Sequence, residues 1–484
     1  MKWNVTFWGT LFLAGGLFII GCSEKSSVKE SESTNPQIDI SQIPDKEKSI
    51  QPEKQQEQLQ AEQPFVQPEQ PAEPQLPAPE ADPDDVKAAV EFIEKAGGSA
   101  EKNAAGAVVK VSEQKSHEAI DEIAKLIDLE SLVLDGPYIN DEVTQKLANL
   151  HKLKTLSFSN ASITGASLTI ILDNMKDLTN LTLNRCNLTD NSLDVICKMK
   201  QLKILDIRSN DVSGLGMLAL ADLEQLEQLD LRYCIKIDGT ALDYLSDVKT
   251  LKVLKLRSGN AITDSSLKHL EKFEKLQSLH LQDSDSLGDD CIDSLVKVPT
   301  LTDLTLFRIT AITNDGIKKF QGSKIEKLLL RGMDSVTDDG IASLKDIPKL
   351  TRLVLQEMKI SDTGLSEALN GKNSLTSLAI FDVPLTNKFN ETLATLKNVK
   401  SVDLRLTKQD DAFFDVIVTL QKLETLIIGD NMAFTDAGFA KLVGCPRLKS
   451  IEITNNTGIT NDAIEALKQA KPGITIKRRN TGEH

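Results

Sequence analysis

Chemistry-bearing residues are scarce in this chain. Its 484 residues include six cysteines and five histidines, and aromatic side chains make up only 4%. No two cysteines stand in C-x-x-C spacing, which excludes a zinc ribbon or a dithiol redox motif of that kind. No histidine pair has H-E-x-x-H spacing, and there is no Gly-rich phosphate loop and no G-x-S-x-G. Paired acids do occur, as Asp289-Asp290, Asp338-Asp339 and Asp410-Asp411. The first two pairs fall where helices are expected to start, and capping and the helix dipole favour acids there. No enzyme activity, cofactor, metal or nucleic-acid partner is expected. Long apolar runs are also missing, apart from one at the N-terminus.

What the chain has in abundance is a repeat. Pairs of the form Leu-x-Leu return every 24 or 25 residues, from Leu132/Leu134 through Leu205/Ile207, Leu304/Leu306 and Leu378/Ile380 to Ile451/Ile453. They make fourteen units, with degenerate copies at Val109/Val111 and Ile474/Ile476. An apolar residue often stands three before each pair, as at Leu202, Leu226 and Leu251. The period of two across each pair predicts a short strand with its leucines on one face. Signals such as Ile262-Thr263-Asp264 and Ile360-Ser361-Asp362 follow, and their hydroxyls and carboxylates suit helix N-caps. Apolar residues at helical spacing come next, as at Leu267, Leu270 and Phe273. One such unit buries too few side chains to offset the entropy of ordering it, so the array is stable only when stacked and capped.

The L-x-x-L-x-L spacing followed by I-T-D-x-G-[LI]-x-x-L resembles a leucine-rich repeat. Close matches are Ile312 to Ile317 (Ile-Thr-Asn-Asp-Gly-Ile), residues 336–341 and residues 360–365. Cys234 after Leu231-Arg232-Tyr233, and Gly444-Cys445-Pro446, are similar to the cysteine-containing subtype of F-box substrate receptors and their bacterial relatives. The resemblance covers about 110–476. It implies an α/β solenoid, or horseshoe, with a parallel inner sheet and outer helices: about 14 full repeats plus caps.

Before the repeats, residues 1–21 read as a signal peptide, with Lys2 ahead of a short apolar run. The run ends in Ile19-Ile20-Gly21-Cys22, which resembles the bacterial lipobox. That resemblance implies acylation of Cys22 and a lipid anchor in the membrane of a bacterial cell envelope, on its periplasmic or extracellular side. Several acyl chains anchor firmly where one alone binds marginally. Residues 22–83 read as a disordered, acidic Pro/Gln/Glu-rich tether. Ten of the sixteen prolines lie between residues 23 and 85, with fifteen acidic and five basic residues. Most of the net charge of −15 is therefore outside the repeats. Residues 84–111 are expected to form a helix-and-strand cap, 112–476 the repeat domain, and 477–484 a polar C-terminal tail.

The residues beside the leucines should line the concave face in columns, one strand about 4.8 Å from the next. Two patches emerge. The first is a basic column of Arg208, Arg232 and Arg257, with Lys255 and His280 beside it. Asp206 and Asp230 can answer two of these charges. The column is then either a self-neutralised ladder or a site for carboxylate or phosphate. The second is an apolar patch of Phe307, Leu329, Val354, Ala379 and Phe381, rimmed by Lys327, Arg331, Arg352 and Gln356. Such a composition has the anatomy of a protein interface. The favoured function is a membrane-anchored, non-catalytic scaffold or receptor-like protein that recognises a protein partner on its concave face. The alternative is a structural or adhesive envelope protein that binds anionic cell-wall polymer or glycan through the arginines. A ubiquitin-ligase-type substrate receptor is disfavoured, because no F-box-like helical segment precedes the repeats.

Overall fold

A computed structural model describes residues 83–114, 117–257 and 261–479. The expected signal segment, Cys22 and all of the tether except Pro83 lie outside the described residues. Within them, each Leu-x-Leu pair forms a strand, from Ser131–Asp135 to Ser450–Thr454. All are five residues long except Ile204–Asp206 and Gln228–Asp230, which are three. Successive strands pair in parallel and in register, so that Leu304 faces Leu328, Leu328 faces Leu353 and Leu353 faces Leu378. Burial alternates along them: the leucines are buried and the residues between are half-exposed. This is the leucine-rich repeat solenoid, with a long parallel sheet on one side and helices on the other.

The outer layer is thinner than an all-α reading implies. Gly165–Asn174 and Asp362–Leu369 are α-helices, but Leu215–Asp222 and Ser266–Lys272 are 3₁₀-helices. In the latter, Leu267 and Leu270 still point inward, because three-residue spacing suits a 3₁₀ turn.

A hydrogen-bonded clasp joins neighbouring units where these helices start. Thr313 donates its N–H and its hydroxyl to the two carboxylate oxygens of Asp289 in the preceding unit, each at 2.7 Å. Ser361 does the same to Asp338 (2.7 and 2.5 Å), and Thr386 to Asp362 (2.9 and 2.7 Å). Thr164 on Asp141, Ser213 on Asp190, Thr435 on Asp411 and Thr460 on Asp436 repeat it. Asp289 and Asp338 thus act across units, where capping of their own helices was expected. The glycine of the motif follows from this. A Cβ on Gly364 would stand 2.6 Å from Cα and from Oδ1 of Asp338. The clasp lapses at Thr189, where Gly165 takes the acid position, and again between Ser213 and Thr313. Gly214 and Gly239 occupy the acid position, and Gly288 occupies the hydroxyl position. Of the side-chain clasp bonds only Gly288 N–H to Asp264 Oδ1 (2.9 Å) remains among the described residues.

Both ends are closed. The helix Pro83–Lys95 buries Ala89, Val90 and Ile93. It is followed by Ser99–Lys102, a strand not anticipated, which pairs antiparallel with Val108–Gln114. Asn103 and Gly106 make the turn, with Asn103 Oδ1 accepting from the N–H groups of Ala105 and Ala107. At the other end the last strand is Thr475–Arg479, so Lys477, Arg478 and Arg479 belong to the sheet and not to a tail. Arg478 stands opposite Ile453, and its guanidinium donates to Ile459 O (2.9 Å), Asn461 Oδ1 (3.0 Å) and Asn456 O (3.1 Å). A polar fork thereby covers the final layer of leucines.

The clasp predicts a contrast between two adjacent acids. Asp338→Ala should lower stability by about 1–2 kcal/mol, read as a lower urea midpoint. Asp339→Ala, whose carboxylate is exposed and, among the described residues, pairs with Lys318 (2.8 Å), should leave the midpoint nearly unchanged.

Candidate functional site: the open face of the sheet

The in-register strands turn alternate residues into columns on the open face, and the residue after each strand adds one more. In most units that residue is in the left-handed region: Asp283 (φ 52°), Arg308 (50°), Glu357 (53°), Asp382 (52°) and Leu406 (51°) are examples. This conformation costs a residue with a Cβ about 1–2 kcal/mol. In return its N–H reaches the next unit's carbonyl, as from Asp283 to Phe307 O (2.8 Å) and from Arg308 to Arg331 O (2.8 Å). The turn also swings these side chains back among the columns.

The basic column is largely answered from within. Arg208 donates through Nε to Asp206 at 2.8 and 3.0 Å, and its Nη2 stands 2.8 Å from the same carboxylate. Arg232 holds Asp230, with Nη2 to Oδ2 at 2.7 Å, and Lys255 Nζ stands 4.0 Å from the same oxygen. Arg257 Nε meets Asp283 Oδ2 at 2.7 Å, and Arg308 Nε meets Asp283 Oδ1 at 2.6 Å. Arg257 also stacks over the Tyr233 ring, 4.5 Å from its centroid. His280 is half-buried. Burial first, then the neighbouring Lys255, holds its imidazole below the usual histidine value and favours the neutral form.

The apolar patch is less continuous than its sequence suggests. Phe307 is sandwiched between the guanidiniums of Arg308 (4.4 Å) and Arg331 (4.3 Å), and Phe381 lies under that of Arg405 (5.1 Å). Arg331 donates to Glu357 Oε1 through Nε (3.1 Å) and Nη2 (2.7 Å), and Arg405 holds Asp403 (2.8 and 2.7 Å). Burial keeps the Asp403 carboxyl above its ordinary value even so. Gln356 lies between Arg331 and Phe381 in the same column. What stays open is the middle strip of Leu329, Val354 and Ala379, side by side on three strands. A hollow of about 170 Å³ lies at its near end, lined by one row of His280, Thr305, Leu329 and Val354 and a second of Asp303, Lys327 and Arg352.

Asp283, Arg308 and Glu357 escaped the sequence reading because it stopped at the strand end. The available signal was the frequency of Asn, Asp and Gly one residue further on, which marks left-handed turns. The five described cysteines are all buried and unpaired, and burial pushes the thiols of Cys186 up to about 12 and of Cys234 to about 11. Among the described residues, no three His, Cys, Asp or Glu side chains converge as metal ligands, and no helix is long and apolar enough to cross a membrane.

No family model and no curated protein matches this chain. Several solved structures are similar to it. One is an internalin (inlF) from Listeria monocytogenes, 18% identical, covering 83% of this chain and 96% of that one, with a TM-score of 0.39. Another is the complex of Rad7 and Elc1 in yeast, 17% identical, covering 81% and 92%, with a TM-score of 0.45. The complex of TLR13 with ssRNA13 is 17% identical, covering 75% of this chain and 58% of that chain, with a TM-score of 0.48. At these identities the likeness concerns the fold.

Asp283 bridges two arginines from different strands, so its loss should be felt. Asp283→Ala is expected to cost about 1.5–3 kcal/mol, measured by chemical denaturation. Asp382→Ala, at the same turn position but exposed, should cost clearly less.

Proposed function

We propose that this protein is a non-catalytic binding protein that recognises a protein partner on the open face of its sheet, and that lipidated Cys22 displays it on a bacterial envelope membrane. The observation that carries the first part is the strip of Leu329, Val354 and Ala379, half-exposed in register and bordered by the arginine-covered Phe307 and Phe381. Aliphatic area ringed by guanidiniums is the composition of interface centres and rims. The partner-facing side is rigid, since each arginine over an aromatic ring is also held by an acid, and rigidity reduces the entropy lost on association. The glycan alternative draws less support, because Arg208, Arg232 and Arg257 already hold carboxylates of this chain. The lipid anchor rests on the sequence around Cys22 alone.

Two experiments test these parts separately. Leu329→Arg combined with Val354→Arg should remove specific proteins captured from envelope extracts by the wild type, whereas Leu218→Arg on the outer helices should retain them. An unchanged set with the double variant would sink the open-face assignment. Metabolic labelling with an alkyne fatty acid should tag the wild-type protein in bacteria, and Cys22→Ala should abolish the tag and release the protein from membranes.

A further inference from the structure

Most arginines on the open face are answered by acids of this chain. Arg208, Arg232 and Arg405 hold acids of their own strands, Arg257 and Arg308 share Asp283, and Arg331 holds Glu357. Arg185, in the left-handed turn after Asn180–Asn184, lacks such a partner among the described residues, and so does Arg352. Among the described residues no carboxylate lies within ion-pair distance of Arg352's exposed side chain. Its neighbour across the strand pair is another cation, Lys327, whose contact with Asp303 is long at 3.4 Å. Like charges at facing positions destabilise a sheet unless something answers them.

The hollow beside these two cations indicates what can. Its 170 Å³ is room for a short side chain. Leu329 and Val354 give the lining an aliphatic part, and its charge lies on Asp303, Lys327 and Arg352. An occupant must therefore bring a short apolar stem and an anionic head. The side chain of glutamate, two methylenes and a carboxylate, meets both demands, and aspartate brings one methylene fewer.

We propose that this hollow is a specificity pocket for a glutamate side chain of the partner protein. The glutamate methylenes lie on Leu329 and Val354, and its carboxylate takes the guanidinium fork of Arg352. Asp303 repels a carboxylate on the Lys327 side and so directs it towards Arg352. His280, half-buried beside Thr305, completes the lining on the side away from Arg352. The proposal rests on the reading of the open face as a protein-binding surface and adds the chemistry of what binds there.

Panning a library of random linear peptides against the immobilised full-length protein tests it, with Arg352→Gln and Leu329→Arg proteins in parallel. The enriched peptides should share a glutamate flanked by apolar residues. Synthetic copies should bind about tenfold more weakly to Arg352→Gln, or after Glu→Gln in the peptide. Glu→Asp should weaken them too, and raised salt should reduce the difference between wild type and Arg352→Gln. C-terminally amidated and free-acid forms should bind equally; binding of the free acid alone overturns the assignment in favour of a chain-end carboxylate. Peptides that lose binding with Leu329→Arg but keep it with Arg352→Gln overturn the pocket and leave the open-face reading intact. Binding indifferent to both substitutions overturns both readings, and the absence of any enriched sequence overturns the pocket.

Discussion

A hydrogen-bonded clasp between units, added to the backbone ladder of the sheet, holds much of the outer edge of the solenoid. A hydroxyl can donate once and still accept, and the motif uses both capacities. Thr313 gives its proton to Asp289 of the preceding unit and accepts from the N–H of Asp315 in its own helix. Ser361 does the same between Asp338 and Thr363. One side chain therefore ties a unit to its predecessor and starts its own outer turn. Because the acceptor is a carboxylate, these bonds are stronger than neutral ones. Stacked leucines are oily and nearly interchangeable, so on their own they leave units free to settle at slightly different depths. The clasp adds a second, directional fixed point on the far side of each unit. Where it is present the clasp reinforces the register set by the backbone ladder, and the ladder alone keeps that register across Gly214, Gly239 and Gly288, where the clasp lapses.

The second constraint is the left-handed turn after each strand. It places a residue at φ near 50° in most units, at a steric cost, and pairs its N–H with the next unit's carbonyl. It also decides what the open face looks like. The acids that hold Arg257, Arg308 and Arg331 are Asp283 and Glu357, both in this turn. The arginine that covers Phe307 from one side, Arg308, is in it as well. The face is therefore written by two registers together: the period-two strand and the turned residue behind it.

This explains which parts were legible in the sequence. Leu-x-Leu pairs have a fixed period and a fixed inward direction, so strand positions and neighbours could be read directly, and Leu329 beside Val354 needed no coordinates. Turned residues obey neither periodicity. Asp283 follows Arg257 by 26 residues and meets it only because the chain reverses its backbone hand at that point. The stacking of Arg331 on Phe307 was also illegible, since column order places them as neighbours without saying which side chain covers the other. At the ends, Ser99–Lys102 has no leucine pair to announce it, and Arg478 occupies a position that Leu134, Phe158 and Ile453 fill with apolar side chains in other units. Polar residues in core positions of a terminal strand read as a tail, when in the fold they cap it.

The lapse of the clasp bears on the basic column. Gly214, Gly239 and Gly288 interrupt it at three successive junctions, the same stretch that carries Arg208, Arg232, Lys255 and Arg257 on the opposite side. There the ion pairs cross between strands. Arg208 approaches Asp230 of the next strand (3.7 Å), Lys255 approaches Asp230 from the other side (4.0 Å), and Asp283 draws in Arg257 and Arg308. Asp230 and Asp283 are nearly buried, so these pairs are less screened than ordinary surface bridges. The column supplies from the open face a connection that the outer edge omits. A charge committed to holding units together is a poor ligand site, because binding an external anion would first have to displace an internal one. Arg352 sits among fully clasped units, Asp338 to Ser361 and Asp362 to Thr386, and has no such duty. The same division of labour that makes the basic column structural leaves Arg352 available.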